Sequence, residues 1–281
     1  MTAPGTRLVQ PPPTAPPWLG GAVTSRATCV LAPNPSPMTL DGTNTWVLAE
    51  PGSGAVAVVD PGPLDEQHLR AVISLVEERG ARVTHTLLTH GHADHAEGAG
   101  RFAELTGTRV QAIGDGHDDL REGSVLHVGD LEVAVLATPG HTSDSVSFVL
   151  PADNTVLTGD TVLGRGTTVV AHPDGVLADY LASLRRLRSL TGSGAVTRIL
   201  PGHGPTVDAA DEAVAYYLRH RADRLDQVRA ALAAGDTTAD EVVERVYADV
   251  PREVWPAARL SVLAQIAYLP TSPDAAAVTD G

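Results

Sequence analysis

Three imidazoles and a carboxylate crowd into six residues, His90-Gly91-His92-Ala93-Asp94-His95, directly after a strand pattern and directly before a helical one. Alternate residues of an extended chain project to one side, so His90 and His92 share a face, while Asp94 and His95 fall on the turn into the helix. Packing does not explain four metal-binding side chains in so short a stretch, because buried imidazoles and carboxylates need partners. A solvated polar loop seldom concentrates so many ligand types. Three further pieces have the same form, a polar ligand at the end of an apolar strand: Thr138-Pro139-Gly140-His141-Thr142, Thr158-Gly159-Asp160-Thr161 and Pro201-Gly202-His203-Gly204. Each alone reads as a turn, in which glycine lets the backbone bend and approach closely. Together the four pieces supply five histidines and two aspartates, enough for two cations sharing one carboxylate. An all-nitrogen-and-oxygen site with spare positions suits catalytic zinc, two ions per chain, with iron or manganese also chemically admissible.

The elements that must position these groups are short β-branched runs alternating with helical patterns. Strands are predicted at Val56–Asp60, Thr84–Thr89, Arg109–Ile113, Leu131–Ala137, Val146–Leu150, Thr155–Leu157 and Thr197–Leu200. Helices are predicted at Asp65–Glu78, Asp94–Leu105 and Leu177–Leu190, the first two ended by Gly80 and Gly107. This order indicates a layered α/β core with helices covering sheet faces. Beyond Gly204 the pattern turns helical: Ala209–Ala234, a segment from Asp236–Thr238 through Tyr247, and Glu253–Tyr268 after the break at Pro251. The expected organisation is a proline-rich disordered arm at 1–20, a catalytic domain at 21–207, a helical appendage at 208–269 and a frayed tail at 270–281.

Composition narrows the chemistry. The 281 residues are 43% hydrophobic and 19% charged, and no apolar run is long enough to cross a membrane. Met1 to Gly20 carries six prolines and no apolar h-region, so it does not read as a secretory signal. A single cysteine, Cys29, excludes an intramolecular disulfide and any multi-cysteine zinc site, and points to a reducing cytoplasm with Cys29 as a small buried hydrophobe. Net charge is −14, and all twenty basic residues are arginine. Without lysine there is no Schiff-base, P-loop or lysine-base chemistry. So acidic a surface repels phosphate backbones, and three tryptophans, five tyrosines and two phenylalanines leave little for base stacking.

The ordered set His90-Gly91-His92-Ala93-Asp94-His95, His141, Asp160 and His203 resembles the metallo-beta-lactamase superfamily over about residues 34 to 204. A narrower resemblance, to its lactamase-beta-two-like subgroup, rests on three segments. They are Asn34-Pro35-Ser36-Pro37-Met38-Thr39-Leu40-Asp41-Gly42-Thr43-Asn44-Thr45, Gly164-Arg165-Gly166-Thr167-Thr168-Val169 and Pro201-Gly202-His203-Gly204-Pro205. The resemblance implies an α/β fold, the αβ/βα metallo-beta-lactamase sandwich, with a small C-terminal winged-helix-like segment. It implies that His90, His92 and His141 hold one metal, that Asp94, His95 and His203 hold a second, and that Asp160 bridges them. Asp60, in Val59-Asp60-Pro61-Gly62, resembles the superfamily's aspartate behind the site, with the expected role of orienting a ligand histidine.

The implied activity is hydrolysis by hydroxide shared between two zinc ions, with no serine or cysteine nucleophile. Histidine at 92 rather than glutamate fits the hydrolytic branch, and Asp160 with a single cysteine argues against the lactamases that use a cysteine ligand. The substrate reading divides. For an ester or thioester, the expected pocket wall is Gly164 to Asp174, with His172 able to protonate a leaving group or meet a substrate carboxylate. For single-stranded RNA, cleaved as a phosphodiester by an endoribonuclease of the lactamase-beta-two-like type, the candidates are Arg185, Arg186 and Arg188 on one helix and His220, Arg221 and Arg224 on another; a solvated helix face is the plainer reading of both. From Asp208 onward there are seven arginines against thirteen acids. The appendage therefore suits packing, a substrate lid or the contact of a homodimer better than DNA docking. Two other classes are a scaffold without turnover and a mononuclear-iron persulfide oxygenase. His68, His85, His117 and His127 are expected to have no role.

Overall fold

The run Asn44–Leu48 shows why the core has layers. Trp46 and Leu48 project one way and Val47 the other, and all three are buried, so this strand is covered on both faces. The same holds for Ala55–Val59, where Ala57 and Val59 face inward and Val56 and Val58 outward. The computed structural model describes residues 16–114 and 120–269. In it, β1 (Gly21–Ala22), β2 (Ala27–Leu31), β3 (Asn44–Leu48), β4 (Ala55–Val59), β5 (Arg82–Leu87) and β6 (Val110–Gln111) form one sheet in sequential order. It is antiparallel through β4 and parallel from β4 to β6. The second sheet has the order β11–β10–β9–β8–β7, built from β7 (Val125–Val128), β8 (Leu131–Ala137), β9 (Val146–Leu150), β10 (Thr155–Gly159) and β11 (Arg198–Pro201). Only β10 and β11 run parallel there.

Each parallel pair needs a crossover, and helices provide them. α1 (Glu66–Glu78) joins β4 to β5, α2 (Ala93–Ala96) and α3 (Ala99–Thr106) lie between β5 and β6, and α4 (Leu177–Gly192) joins β10 to β11. α1 starts at Asp65, whose side chain accepts the His68 backbone N–H, and buries Leu69, Val72 and Val76 along one stripe against Val47, Val56 and Val58. Between the sheets lie Trp46, Leu87, Val133, Phe148, Leu157 and Leu200, among others. The outer face of the second sheet carries Val156 and Ile199, which pack with Tyr180, Leu184 and Leu187 of α4. That cluster runs on without a break into α5 (Ala210–Ala233), α6 (Ala239–Val246) and α7 (Trp255–Tyr268) through Val214, Tyr217, Val228, Val242 and Val262. The C-terminal helices therefore share a core with the sandwich. Among the described residues none of the helices is long and apolar enough to cross a membrane.

The structure departs from the sequence-based assignment in three ways. Strands β1, β2, β3 and β7 were not expected: β3 opens on the buried polar pair Asn44 and Thr45, and β7 is an edge strand interrupted by His127. The helix expected over 94–105 is two helices, because a Cβ at Gly98 would meet Pro63 O at 2.7 Å and Gly62 O at 2.9 Å. The backbone there bends to donate from Gly98 N to Gly62 O. The end of the arm expected to be unfolded is tied down, since Trp18 Nε1 donates to Asn44 Oδ1 at 2.8 Å. Residues 208–269 contain helices and a short 3₁₀ turn, with no strand among them, in keeping with the helical pattern expected there. The remaining arm, His117 and the tail lie outside the described residues.

Candidate metal centre

All the ligand candidates emerge from strand ends at one edge of the sandwich, and backbone hydrogen bonds close the sheets together there. Val146 N donates to Thr89 O across from β9 to the end of β5, and Asn44 N donates to Gly202 O beyond β11. Asn44 Nδ2 also donates to Pro201 O and Gly204 O, both at 2.9 Å, so one side chain latches the loop that carries His203.

Three groups of donors result, each with its ligand atoms within 4.8 Å of one another: His90, His92 and His141; His90, His95 and Asp160; Asp94, His95 and His203. His92 Nδ1 lies 3.1 Å from both His90 Nε2 and His141 Nε2. His203 Nε2 is 3.2 Å from His95 Nε2 and 3.1 Å from Asp94 Oδ2. Asp160 spans the two ends, with Oδ2 3.7 Å from His141 Nε2 and 3.4 Å from His203 Nε2, and Oδ1 3.5 Å from His95 Nε2. The cluster is buried on the side of His90, His95 and His203 and open at His92 and Asp94.

The nitrogen facing away from the cluster has an acceptor on four of the five histidines. His95 Nδ1 donates to Asp60 Oδ2 at 2.9 Å, His141 Nδ1 to Val169 O at 2.7 Å, His203 Nδ1 to Gly42 O at 3.2 Å, and His90 Nδ1 to Thr89 Oγ1 at 3.0 Å. Each bond fixes ring orientation and leaves the inward nitrogen as the free lone pair, which a metal ligand needs. Asp60 also accepts from Thr89 N and Thr89 Oγ1, both at 2.7 Å. It holds the left-handed conformation, φ 52°, that turns its carboxylate back under β5.

Electrostatics mark the cluster as short of cations. Burial alone would raise the Asp94 carboxyl, yet the His203 hydrogen bond and the charge of His95 hold it down at about 2. Burial likewise opposes charge on His203, but Asp160 and Asp94 push it up to about 10. His95 is raised in the same way, against burial, by Asp160 and Asp60. His90 and His141 are lowered, chiefly by burial. Protons on His95 and His203 thus stand where positive charge is wanted. Asp160 Oδ1 is buried with no hydrogen-bond partner, which is costly unless a cation meets it. Five imidazoles, two carboxylates and no thiolate fit zinc, iron or manganese.

Glycine at 202 is a condition of this geometry. A Cβ there would lie 2.5 Å from Asp160 Oδ1 and 2.8 Å from His95 Cε1. Gly202→Ala is therefore expected to purify folded but with reduced metal content; emission spectrometry showing full loading would contradict the tight approach.

The residues expected to contact substrate are placed otherwise than the sequence suggested. Arg221 and Arg224 are not on a solvated face: they are 3% and 7% exposed. Arg221 Nη2 donates to Thr168 O at 2.5 Å and its guanidinium lies 4.9 Å from the Tyr180 ring centre. Arg224 Nη1 donates to Gln227 Oε1 and Val246 O, both at 2.8 Å, over the Tyr247 ring. Arg186 pairs with Glu122 and Arg188 with Asp211. Of the expected pocket wall, Gly164 to Val169 lines a cavity of about 590 Å³ beside His141 and Asp160. His172 does not line it and stands exposed. Other residues support the site: Thr89 and His68, to which the sequence reading gave no role, and Asn44 and Thr45, which it quoted only within a segment of the family resemblance. His68 Nε2 lies 2.9 Å from Thr45 Oγ1, which donates to Asp60 O.

Beside the arginines, His220 is pushed down to about 4 by burial and by the charges of Arg221 and Arg224. Above pH 6.5 it is neutral whether the chain is folded or not. As pH falls through 6.5 the unfolded chain takes up a proton that the folded chain refuses until about pH 4, so stability is lost over that window. Denaturant titrations from pH 7 to 4 should show the parent losing up to roughly 3 kcal/mol more than His220→Gln. Parallel curves would refute the buried neutral imidazole.

The metallo-beta-lactamase superfamily model matches residues 38–120 and 108–203, the segment that holds all seven ligand candidates. The chain belongs to the metallo-beta-lactamase superfamily. A beta-lactamase associated winged helix domain model matches residues 238–269. A beta-lactamase-like protein 2 homolog of Caenorhabditis elegans is 36% identical over 250 residues, 84% of this chain and 80% of that protein. An atrochrysone carboxyl ACP thioesterase of Aspergillus fumigatus is 34% identical over 252 residues, 82% of this chain and 76% of its own length. Among solved structures, a metallo-beta-lactamase family protein of Thermus thermophilus superposes with a TM-score of 0.74 at 24% identity, over 88% of this chain and 94% of that one. The two sheets with helices outside them are the metallo-beta-lactamase sandwich, and the protein is a metal-dependent enzyme of this hydrolase family.

Proposed function

We propose that the protein hydrolyses acyl thioesters or esters at a dinuclear zinc centre. His90, His92 and His141 would hold one ion and Asp94, His95 and His203 the other, with Asp160 between them. Held there, the ions would supply a water acidified towards neutrality and a Lewis acid for an acyl oxygen. The observation that carries the reading is the cavity: His141 and Asp160 form part of its wall, and Met38, Leu40, Leu163, Val207 and Tyr216 give it apolar surface of a kind that accepts an acyl chain. The chain's own residues supply ring orientation through Asp60, Thr89, Val169 and Gly42. They supply no competing nucleophile in Cys29, which is buried, bonded to Asn44, and pushed up to about 12 by burial. Arg221 and Arg224 turn inward to the cavity, and Arg186 and Arg188 pair with carboxylates, so these four do not line an exposed phosphate track, which favours the acyl reading over cleavage of RNA. The thioesterase named among the relatives agrees with the acyl reading.

A panel of acyl-coenzyme A thioesters, aryl esters, a chromogenic lactam and single-stranded RNA, presented to zinc-reconstituted protein, tests it. Thioester or ester turnover that a chelator removes and zinc restores, with two zinc ions per chain, is expected. RNA cleavage outrunning acyl turnover, or iron in place of zinc with persulfide consumption, would overturn it.

A further inference from the structure

The cavity that meets the metal centre at His141 and Asp160 has a second wall on α5, formed in part by His220, Arg221 and Arg224. These three side chains are 9%, 3% and 7% exposed. Neither arginine forms an ion pair among the described residues, although the chain carries a net charge of −14. Their contacts are neutral: carbonyl oxygens, one amide and two tyrosine rings. The Nε of each arginine and Nδ1 of His220 are buried with no partner at all. Leucine would fill this volume at lower cost, since guanidinium groups taken from water call for a counter-charge.

We propose that Arg221 and Arg224 form an anion-binding subsite, which recognises a carboxylate or phosphate borne by the substrate away from the bond that is cleaved. This rests on the acyl-hydrolase reading of the cavity and adds to it what the substrate must carry. A planar guanidinium suits either anion, by paired N–H donation. The anion has two sources, the far end of the acyl chain or the thiol half of the ester. Arg221 has a further duty: it holds Thr168 O, and the adjoining Val169 O holds His141. Arg224 touches neither and is the cleaner probe.

Four substrates separate the sources: adipoyl and hexanoyl thioesters, each of coenzyme A and of N-acetylcysteamine. The metal-loaded enzyme should favour the anionic member of one contrast by at least about tenfold in kcat/KM, carried by KM. Adipoyl over hexanoyl places the anion on the acyl side, and coenzyme A over N-acetylcysteamine places it on the thiol side. Arg224→Gln should collapse that contrast, and Arg224→Lys should keep part of it. Absence of both contrasts, or a contrast that survives in both Arg224→Gln and Arg221→Gln, overturns the proposal.

A second measurement needs neither turnover nor a folded arginine variant. Adipamate or 4′-phosphopantetheine should raise the melting temperature of the parent above the effect of hexanamide or pantetheine, and should do so equally in Asp94→Ala, whose second cation is expected to be lost. Equal melting with charged and uncharged members refutes the subsite. If no thioester is turned over, the acyl-hydrolase reading fails and the melting comparison still decides the anion site.

Discussion

Asp94→Ala is expected to lose more than about 100-fold of turnover and one of two bound cations while the fold stays intact. Even partners one shell out from a metal are worth 10- to 100-fold, and Asp94 is a direct donor candidate. Its Oδ2 stands 3.1 Å from His203 Nε2 and 3.4 Å from His95 Nε2, so its removal strips the only carboxylate from that group of three. Its side chain is 29% exposed and lies on the short helix α2, so little packing is lost. The fold should therefore stay intact, although metal-free protein loses the counter-charge that Asp94 gives His203 and His95 and should be less stable by about 1–3 kcal/mol. Metal content by emission spectrometry, circular dichroism and steady-state kinetics check the three parts separately. Full activity with a single cation bound would remove the second metal from the reading.

The cluster of candidate ligands was legible in the sequence because metal chemistry restricts residue types. His90, His92, Asp94 and His95 sit within six positions, and each remaining candidate stands beside a glycine at a strand end. Of the site's supports Asp60, which accepts from His95, was legible, and the others were not. Asn44 reaches Pro201 and Gly204, more than 150 positions away, and asparagine in a short strand has many simpler uses. His68 read as inert, though it backs Asp60 through Thr45, because a lone histidine in a helix carries no pattern. The strands with hydrophobic runs, such as β8 and β9, were found to the residue. β3 was missed because burying Asn44 and Thr45 depends on partners elsewhere in the chain. Arg221 and Arg224 illustrate the opposite error. A helix rich in arginine looks solvated from sequence, and only the packing of α5 against α4 and α6 turns those two inward over Tyr180 and Tyr247.

Asp60→Asn should isolate the charge behind His95 from the space it fills. Asparagine tolerates left-handed backbone better than other substitutes, so φ 52° at this position can persist. Its amide can still accept at one oxygen, but its nitrogen is a donor facing donors: Thr89 N, Thr89 Oγ1 and His95 Nδ1 all donate to the present carboxylate. Freed of its acceptor, His95 can carry its proton on either nitrogen, and the tautomer with Nε2 protonated cannot ligate. The expected result is a fall of about 10- to 100-fold in metal affinity with turnover recovered at high zinc, the signature of a ligand held less firmly rather than lost. Asp60→Ala should do its main damage to stability instead. It leaves three buried donors unpaired at about 1–3 kcal/mol each and puts alanine in a left-handed turn. Competitive zinc titration and denaturant unfolding separate the two effects. Unchanged zinc affinity in Asp60→Asn would mean that His95 is aimed by the packing around it, and that the carboxylate only closes the turn.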